Sequence, residues 1–235
     1  MNLIVHNKGS VLLHHTRARE VGDVALRAVI FDYGMVLSNP PDAAAHAQLL
    51  RITGLPAEKL DPLYWADRHA FDEGKLTGET YWRGVLQKAG IALSPAAVAE
   101  LMEWDARMWI TPNPAMLSWA TSLKARGILA AILSNIGDTV SKAIEREADW
   151  LSRFDLYVWS YQLRLAKPDP AIFRYTLDQL GARPEESLFI DDRVENVNAA
   201  IALGMQSLVF TTVERLRADL VAAGLDSYLP LPASA

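Results

Sequence analysis

The chain contains no cysteine. Disulfides, thiolate nucleophiles and cysteine-held metals are therefore excluded. The absence fits a reducing compartment. Long apolar runs are also missing: no stretch approaches the roughly 20 residues that a membrane helix needs. Met1 to Lys8 lacks a basic segment followed by a continuous apolar one, the mark of a secretory signal. The expected location is the cytoplasm, with no membrane partner. Positive charge is in deficit as well. Lys and Arg number 23 against 28 Asp and Glu, for a formal net charge of −5, which argues against a nucleic-acid partner. There is no like-charge tail, internal repeat or low-complexity tract.

What is present is material for a core. The chain has 235 residues and is 51% hydrophobic, enough for one domain or one domain with an insert. Residues 1–25 show no clear period and read as an extension, and 229–235 read as a tail. From Ala25 onward, short apolar runs bounded by turn residues mark strands at 27–32, 128–134, 155–160, 187–191 and 206–210. Runs of this kind are buried on both faces, as in a parallel sheet covered by helices. Asn113-Pro114 and Asp169-Pro170 are helix starts, and Gly127, Gly181, Gly204 and Gly224 are stops. The alternation predicts an α/β fold with a doubly wound parallel sheet.

The interval between the first two strands is long and reads as helices: 43–53, 56–70, 78–89 and 95–109. The core would comprise 26–40 and 111–228, with a small helical cap at 41–110. An insert at that point falls above the carboxyl ends of the strands, where open α/β sheets bind ligands.

Residues with chemistry recur where those strands end. Asp32 follows Ala28-Val29-Ile30-Phe31, and such a carboxylate either caps a turn or serves as nucleophile or metal ligand. Gly34 lets the backbone turn sharply and its carbonyl approach a ligand. Asp191 and Asp192 follow Leu188-Phe189-Ile190. Adjacent carboxylates repel unless a cation is near; the plainer reading is a helix start, where Asp is favoured. Donors that are all oxygen suit Mg²⁺ better than Zn²⁺. Ser134 and Asn135 follow the second strand and precede a helix, as either an N-cap or an anion site. Lys167 lies before Pro168, solvated or aimed at the same edge. Together these residues suit metal-assisted attack on a phosphate.

In order, Phe31-Asp32-Tyr33-Gly34, Leu133-Ser134-Asn135, Lys167-Pro168 and Phe189-Ile190-Asp191-Asp192 with Asn196 resemble the haloacid dehalogenase-like (HAD) hydrolases over nearly all of 27–224. The Asp-Asp-x-x-x-Asn form and the short insert resemble the branch with sugar-phosphate phosphatases and the N-terminal phosphatase domain of soluble epoxide hydrolases. The resemblance implies a HAD-type Rossmann-like core. It implies Asp32 as nucleophile and metal ligand, and the Gly34 carbonyl and Asp192 as further Mg²⁺ ligands. Asp191 and Asn196 would support them, and Ser134, Asn135 and Lys167 would bind phosphate. It implies Mg²⁺-dependent hydrolysis of a small phosphorylated metabolite, a sugar phosphate being favoured, through an aspartyl-phosphate, by a monomer or homodimer.

One position departs from the pattern. Most phosphatases of the superfamily carry a second Asp, a general acid/base, two residues after the nucleophile, where this chain has Gly34. A 2-haloacid dehalogenase, whose halide needs no acid, and a non-catalytic binding protein of the same fold are therefore competing readings. In the insert, Tyr64, Trp65, His69, Phe71, Asp72, Tyr81 and Trp82 are candidates to cover the site. His69 is the first candidate for a substitute acid.

Overall fold

The computed structural model describes residues 26–233. The expected extension over 1–25 lies outside them. Five parallel strands form one sheet: β1 (Ala28–Phe31), β2 (Leu129–Ser134), β3 (Leu156–Trp159), β4 (Ser187–Asp191) and β5 (Gln206–Val209), in the order β3-β2-β1-β4-β5. All four residues of β1 are buried, because it is the central strand. It is flanked by β2, with Phe31 opposite Ile132, and by β4, with Phe31 opposite Ile190. The order reverses direction on either side of β1, so the carboxyl edge near Asp32 is the switch point where such sheets bind ligands.

The insert after β1 holds five α-helices: α1 (Ala43–Thr53), α2 (Ala57–Ala66), α3 (Arg68–Asp72), α4 (Gly78–Ala89) and α5 (Pro95–Trp109). Their punctuation follows the expected physics. Asp42, Thr77 and Ser94 side chains accept N-terminal N–H groups, and Gly54 and Gly90 close helices in the left-handed conformation. The expected helix over 56–70 is instead two, interrupted at Asp67, whose φ of −114° and ψ of 10° leave the helical region. The insert has its own apolar cluster, including Leu49, Phe71, Tyr81, Trp82 and Leu101.

The remaining helices wrap the sheet: α6 (Pro114–Lys124), α7 (Asp138–Glu147), the short α8 (Ser160–Leu163), α9 (Pro170–Leu180), α10 (Val194–Ala202) and α11 (Val213–Ala222). Apolar clusters lie on both faces of the sheet. The segment after 228 is not a loose tail. Leu229 is buried, the Trp119 indole N–H donates to the Pro230 carbonyl, and Arg217 donates to that of Pro232. The alternating Leu and Pro residues thus cover α6.

The insert is seated on the core by close approaches at glycine. Gly137 precedes α7, and a Cβ there would lie 2.2 Å from Cζ of Phe71. Its φ of −80° is open to any residue, so space requires the glycine. Phe71 cannot yield, being fully buried and stacked on Tyr81 at 4.7 Å. Gly137→Ala is therefore expected to cost about 1–3 kcal/mol by overpacking, read by chemical denaturation. An unchanged midpoint would show that this contact does not hold the insert down. Polar contacts add to the seat: Gly78 N–H donates to Asp138 at 2.9 Å, and the Ser160 hydroxyl donates to the Asp72 carbonyl.

Candidate active site

The carboxyl ends of three strands deliver the candidate residues. Asp32 follows β1, Ser134 ends β2 and Asp191 ends β4. The Lys167 side chain, fully buried, reaches in from the loop before α9. Its ammonium lies 2.8 Å from Asp32 Oδ1 and 2.7 Å from Asp191 Oδ2, and donates to the Leu133 carbonyl at 2.8 Å. Its three protons are thereby committed, and an incoming phosphoryl oxygen must displace one of these partners.

Asp191 is saturated. Besides Lys167 it accepts from Arg193 N–H at 2.8 Å and from the Asn196 amide at 3.0 and 3.1 Å. Asp32 differs. Its hydrogen bonds from Tyr33 N–H and Lys167 both fall on Oδ1, and Asp32 lines the cavity. Oδ2 is the oxygen left for a ligand. Asp192 is half-buried on the same cavity.

Oxygens of Asp32, Asp191 and Asp192 lie within 4.8 Å of one another. One ammonium faces three carboxylates, and the surplus of negative charge bears on Asp32 and Asp192. Burial pushes Asp32 up to about 7; Lys167 opposes this, while Asp191 and Asp192 add to it. Asp192 is also raised, by burial and then by Asp191. Burial alone would lower Lys167, but Asp32 and Asp191 hold it above the usual lysine range. An all-oxygen donor set with excess negative charge fits a hard divalent cation such as Mg²⁺.

Gly34 lies where the chain turns away from β1. Its φ of −60° and ψ of 132° precede Met35 at a φ of 62°, and beyond its two chain neighbours nothing lies within 4 Å of where a Gly34 Cβ would be. Asn135 also braces the loop of Lys167. Its side chain clamps the main chain of Lys167, donating to the Lys167 carbonyl at 2.7 Å and accepting its N–H at 2.8 Å. One amide proton remains.

The cavity above these groups has a volume of about 230 Å³, and the insert supplies Trp65, Arg68, Asp72 and Trp109 to its wall. His69 does not line it; its imidazole is exposed and lies 3.7 Å from Glu73. Tyr64, Phe71, Tyr81 and Trp82 are packing residues, all buried. Arg68 was not singled out from the sequence. It is buried, pairs with Asp72 at 3.1 Å and Asp105 at 3.0 Å, and donates to the Tyr64 hydroxyl. The spacing of Arg68 and Asp72 by four residues, one face of α3, is the signal that could have found it. Asp105 completes the network, accepting from the Tyr64 hydroxyl at 2.8 Å and the Trp82 indole at 3.2 Å.

The haloacid dehalogenase-like hydrolase family matches residues 26–204. The chain belongs to this family. Among related HAD proteins is mouse bifunctional epoxide hydrolase 2, 29% identical over 83% of the chain; the chain spans only 38% of that protein's length. Phosphatase MT3486 of Mycobacterium tuberculosis is 25% identical over 78% of the chain and 87% of its own. (S)-2-haloacid dehalogenase 1 of Pseudomonas is 24% identical over 81% and 86%. The HAD enzyme bt-2542 of Bacteroides thetaiotaomicron, solved with magnesium and inorganic phosphate, superposes with a TM-score of 0.66. The match covers 80% of this chain and 95% of that one at 22% identity. The HAD fold is common to all of this, and no described helix is long and apolar enough to cross a membrane.

Proposed function

We propose that the protein is a Mg²⁺-dependent phosphatase of small phosphate monoesters, with residues 41–110 acting as a cap over the site. The observation that carries this is the Asp32 carboxylate, one oxygen open to a small cavity, among two further carboxylates and a buried lysine. In this reading Asp32 Oδ2 attacks phosphorus in line and the ester oxygen leaves towards the cap. Water then hydrolyses the aspartyl-phosphate. Asp32, the Gly34 carbonyl and Asp192 would hold Mg²⁺, which would supply positive charge against the phosphoryl oxygens. Ser134, the remaining Asn135 amide proton and Lys167 hold the phosphoryl oxygens. Asp191 and Asn196 act at one remove: Asn196 fixes Asp191, and Asp191 orients Lys167. The phosphatase relative, and the magnesium and phosphate bound by bt-2542, are consistent with this chemistry. The cavity volume favours a small metabolite such as a sugar phosphate.

A metal-free dehalogenase reading is favoured by one observation, glycine at position 34, and by the dehalogenase relative. The carboxylate trio counts against it, because halide displacement needs no cation there. The deciding measurement is turnover of p-nitrophenyl phosphate with Mg²⁺ and with EDTA, beside chloride release from 2-chloropropionate. Turnover of the phosphate ester abolished by EDTA is expected. Chloride release that persists in EDTA, with no ester turnover, would replace the proposal. Absence of both would leave a binding protein.

A further inference from the structure

We propose that Asp72 of the insert is the general acid that Gly34 cannot be, protonating the leaving oxygen of the phosphate ester. The proposal rests on the phosphatase reading above. In-line displacement sends the leaving group away from Asp32, into the cavity whose wall the insert shares. Asp72 is a carboxyl on that wall, beside Arg68. His69 is excluded by its position outside the cavity.

The surroundings of Asp72 suit both of its states. Arg68 Nε lies 3.1 and 3.4 Å from its two oxygens. The Gly137 N–H, on the turn just after Ser134-Asn135, also favours the charged form. These contacts receive the carboxylate once its proton has gone. Holding the proton beforehand is favoured by burial and by Asp105, to which Arg68 Nη1 donates at 3.0 Å. Burial pushes Asp72 up to about 6 against the pull of Arg68. An arriving phosphate dianion raises it further, because like charge disfavours ionisation. A carboxyl titrating near neutral pH is what proton transfer requires. The charged or titratable neighbours are Arg68, Asp105 and Tyr81 within the insert. The other charged residues that line the cavity are Asp32, Lys167, Asp192 and Arg193.

The step balances. As the Asp32–phosphorus bond forms, the phosphorus–oxygen ester bond breaks and its electron pair stays on the leaving oxygen. That oxygen takes the Asp72 proton and departs as the alcohol. Water next attacks the aspartyl-phosphate, its proton passes to the Asp72 carboxylate, and both carboxyl groups return to their starting state.

The test compares a poor leaving group, glycerol 3-phosphate, with a good one, p-nitrophenyl phosphate, both with Mg²⁺. Asp72→Asn is expected to lower kcat/KM for the alkyl ester by about 10²–10⁴-fold, and by at least tenfold less for the nitrophenyl ester. Gly34→Asp in the Asp72→Asn background is expected to recover alkyl-ester turnover, since the space at Gly34 is open. In the unmodified protein, the ratio of alkyl to nitrophenyl turnover is expected to fall as pH rises past the titration of Asp72. Effects of Asp32 and Asp192 cancel in that ratio. Equal losses for both esters in Asp72→Asn would mark a structural role and overturn the assignment. So would a ratio flat from pH 5 to 9, a measurement that needs no variant to fold. Turnover of neither ester by the unmodified protein would sink the phosphatase reading and this assignment together.

Discussion

Asp32→Asn removes Mg²⁺-dependent ester turnover by at least about 10⁴-fold and leaves the protein folded. The amide matches the carboxylate in shape, and its oxygen still accepts the Tyr33 N–H made by Asp32 Oδ1 at 2.7 Å. What disappears is the nucleophilic oxygen and the negative charge. The stability consequence has a definite sign. Burial raises Asp32 to about 7 from an unfolded value of 3.8. The folded state therefore holds the proton more tightly, and stability is lost as pH rises between these values. The Asn variant escapes that loss. In EDTA its melting temperature is expected to equal or exceed that of the parent at pH 8, with the advantage shrinking by pH 5. A variant several degrees less stable at pH 8 would mean that the carboxylate supports the fold instead of straining it.

The strands were readable in the sequence because each is a short apolar run with no alternation, the mark of burial on both faces. Their order and register were not, since pairing of Ala28 with both Leu129 and Ser187 joins residues over a hundred positions apart. The lower half of the site was readable for a related reason. In a parallel sheet every strand delivers its last residue to the same edge, so Asp32, Ser134 and Asp191 come together once the strands are found. The upper half was not. Arg68 looks like any helical surface residue until Asp105, from another helix, meets it at 3.0 Å. His69, next in the chain, lies about 100° further round the helix and faces away from the cavity. Asn135 was legible as a site residue, but its clamp on the backbone of Lys167, 32 residues on, was not.

Lys167→Met is expected to damage both halves of this balance. The ammonium ties Asp32 to Asp191 across 2.8 and 2.7 Å and satisfies the Leu133 carbonyl. Methionine restores the stem of the side chain but none of its three bonds. Two buried carboxylates then face each other with only the Tyr33 N–H, the Arg193 N–H and the Asn196 amide for relief. Removing one partner of a buried pair costs about 3–5 kcal/mol, roughly 10 °C in melting temperature for a chain of this size. Turnover should fall at least about 10³-fold, because phosphate loses a cation and Asp191 its tie to Asp32. Two conditions separate electrostatics from lost packing. Without Lys167, the influence that opposes the rise of Asp32 is gone, so its proton is held still more tightly. Lowering the pH from 8 to 5 should therefore recover stability in the variant more than in the parent. Added Mg²⁺ should also raise the melting temperature of the variant more than that of the parent, since a divalent cation among the three carboxylates replaces the missing charge. A deficit indifferent to both pH and Mg²⁺ would assign Lys167 to packing alone and remove it from the phosphate site.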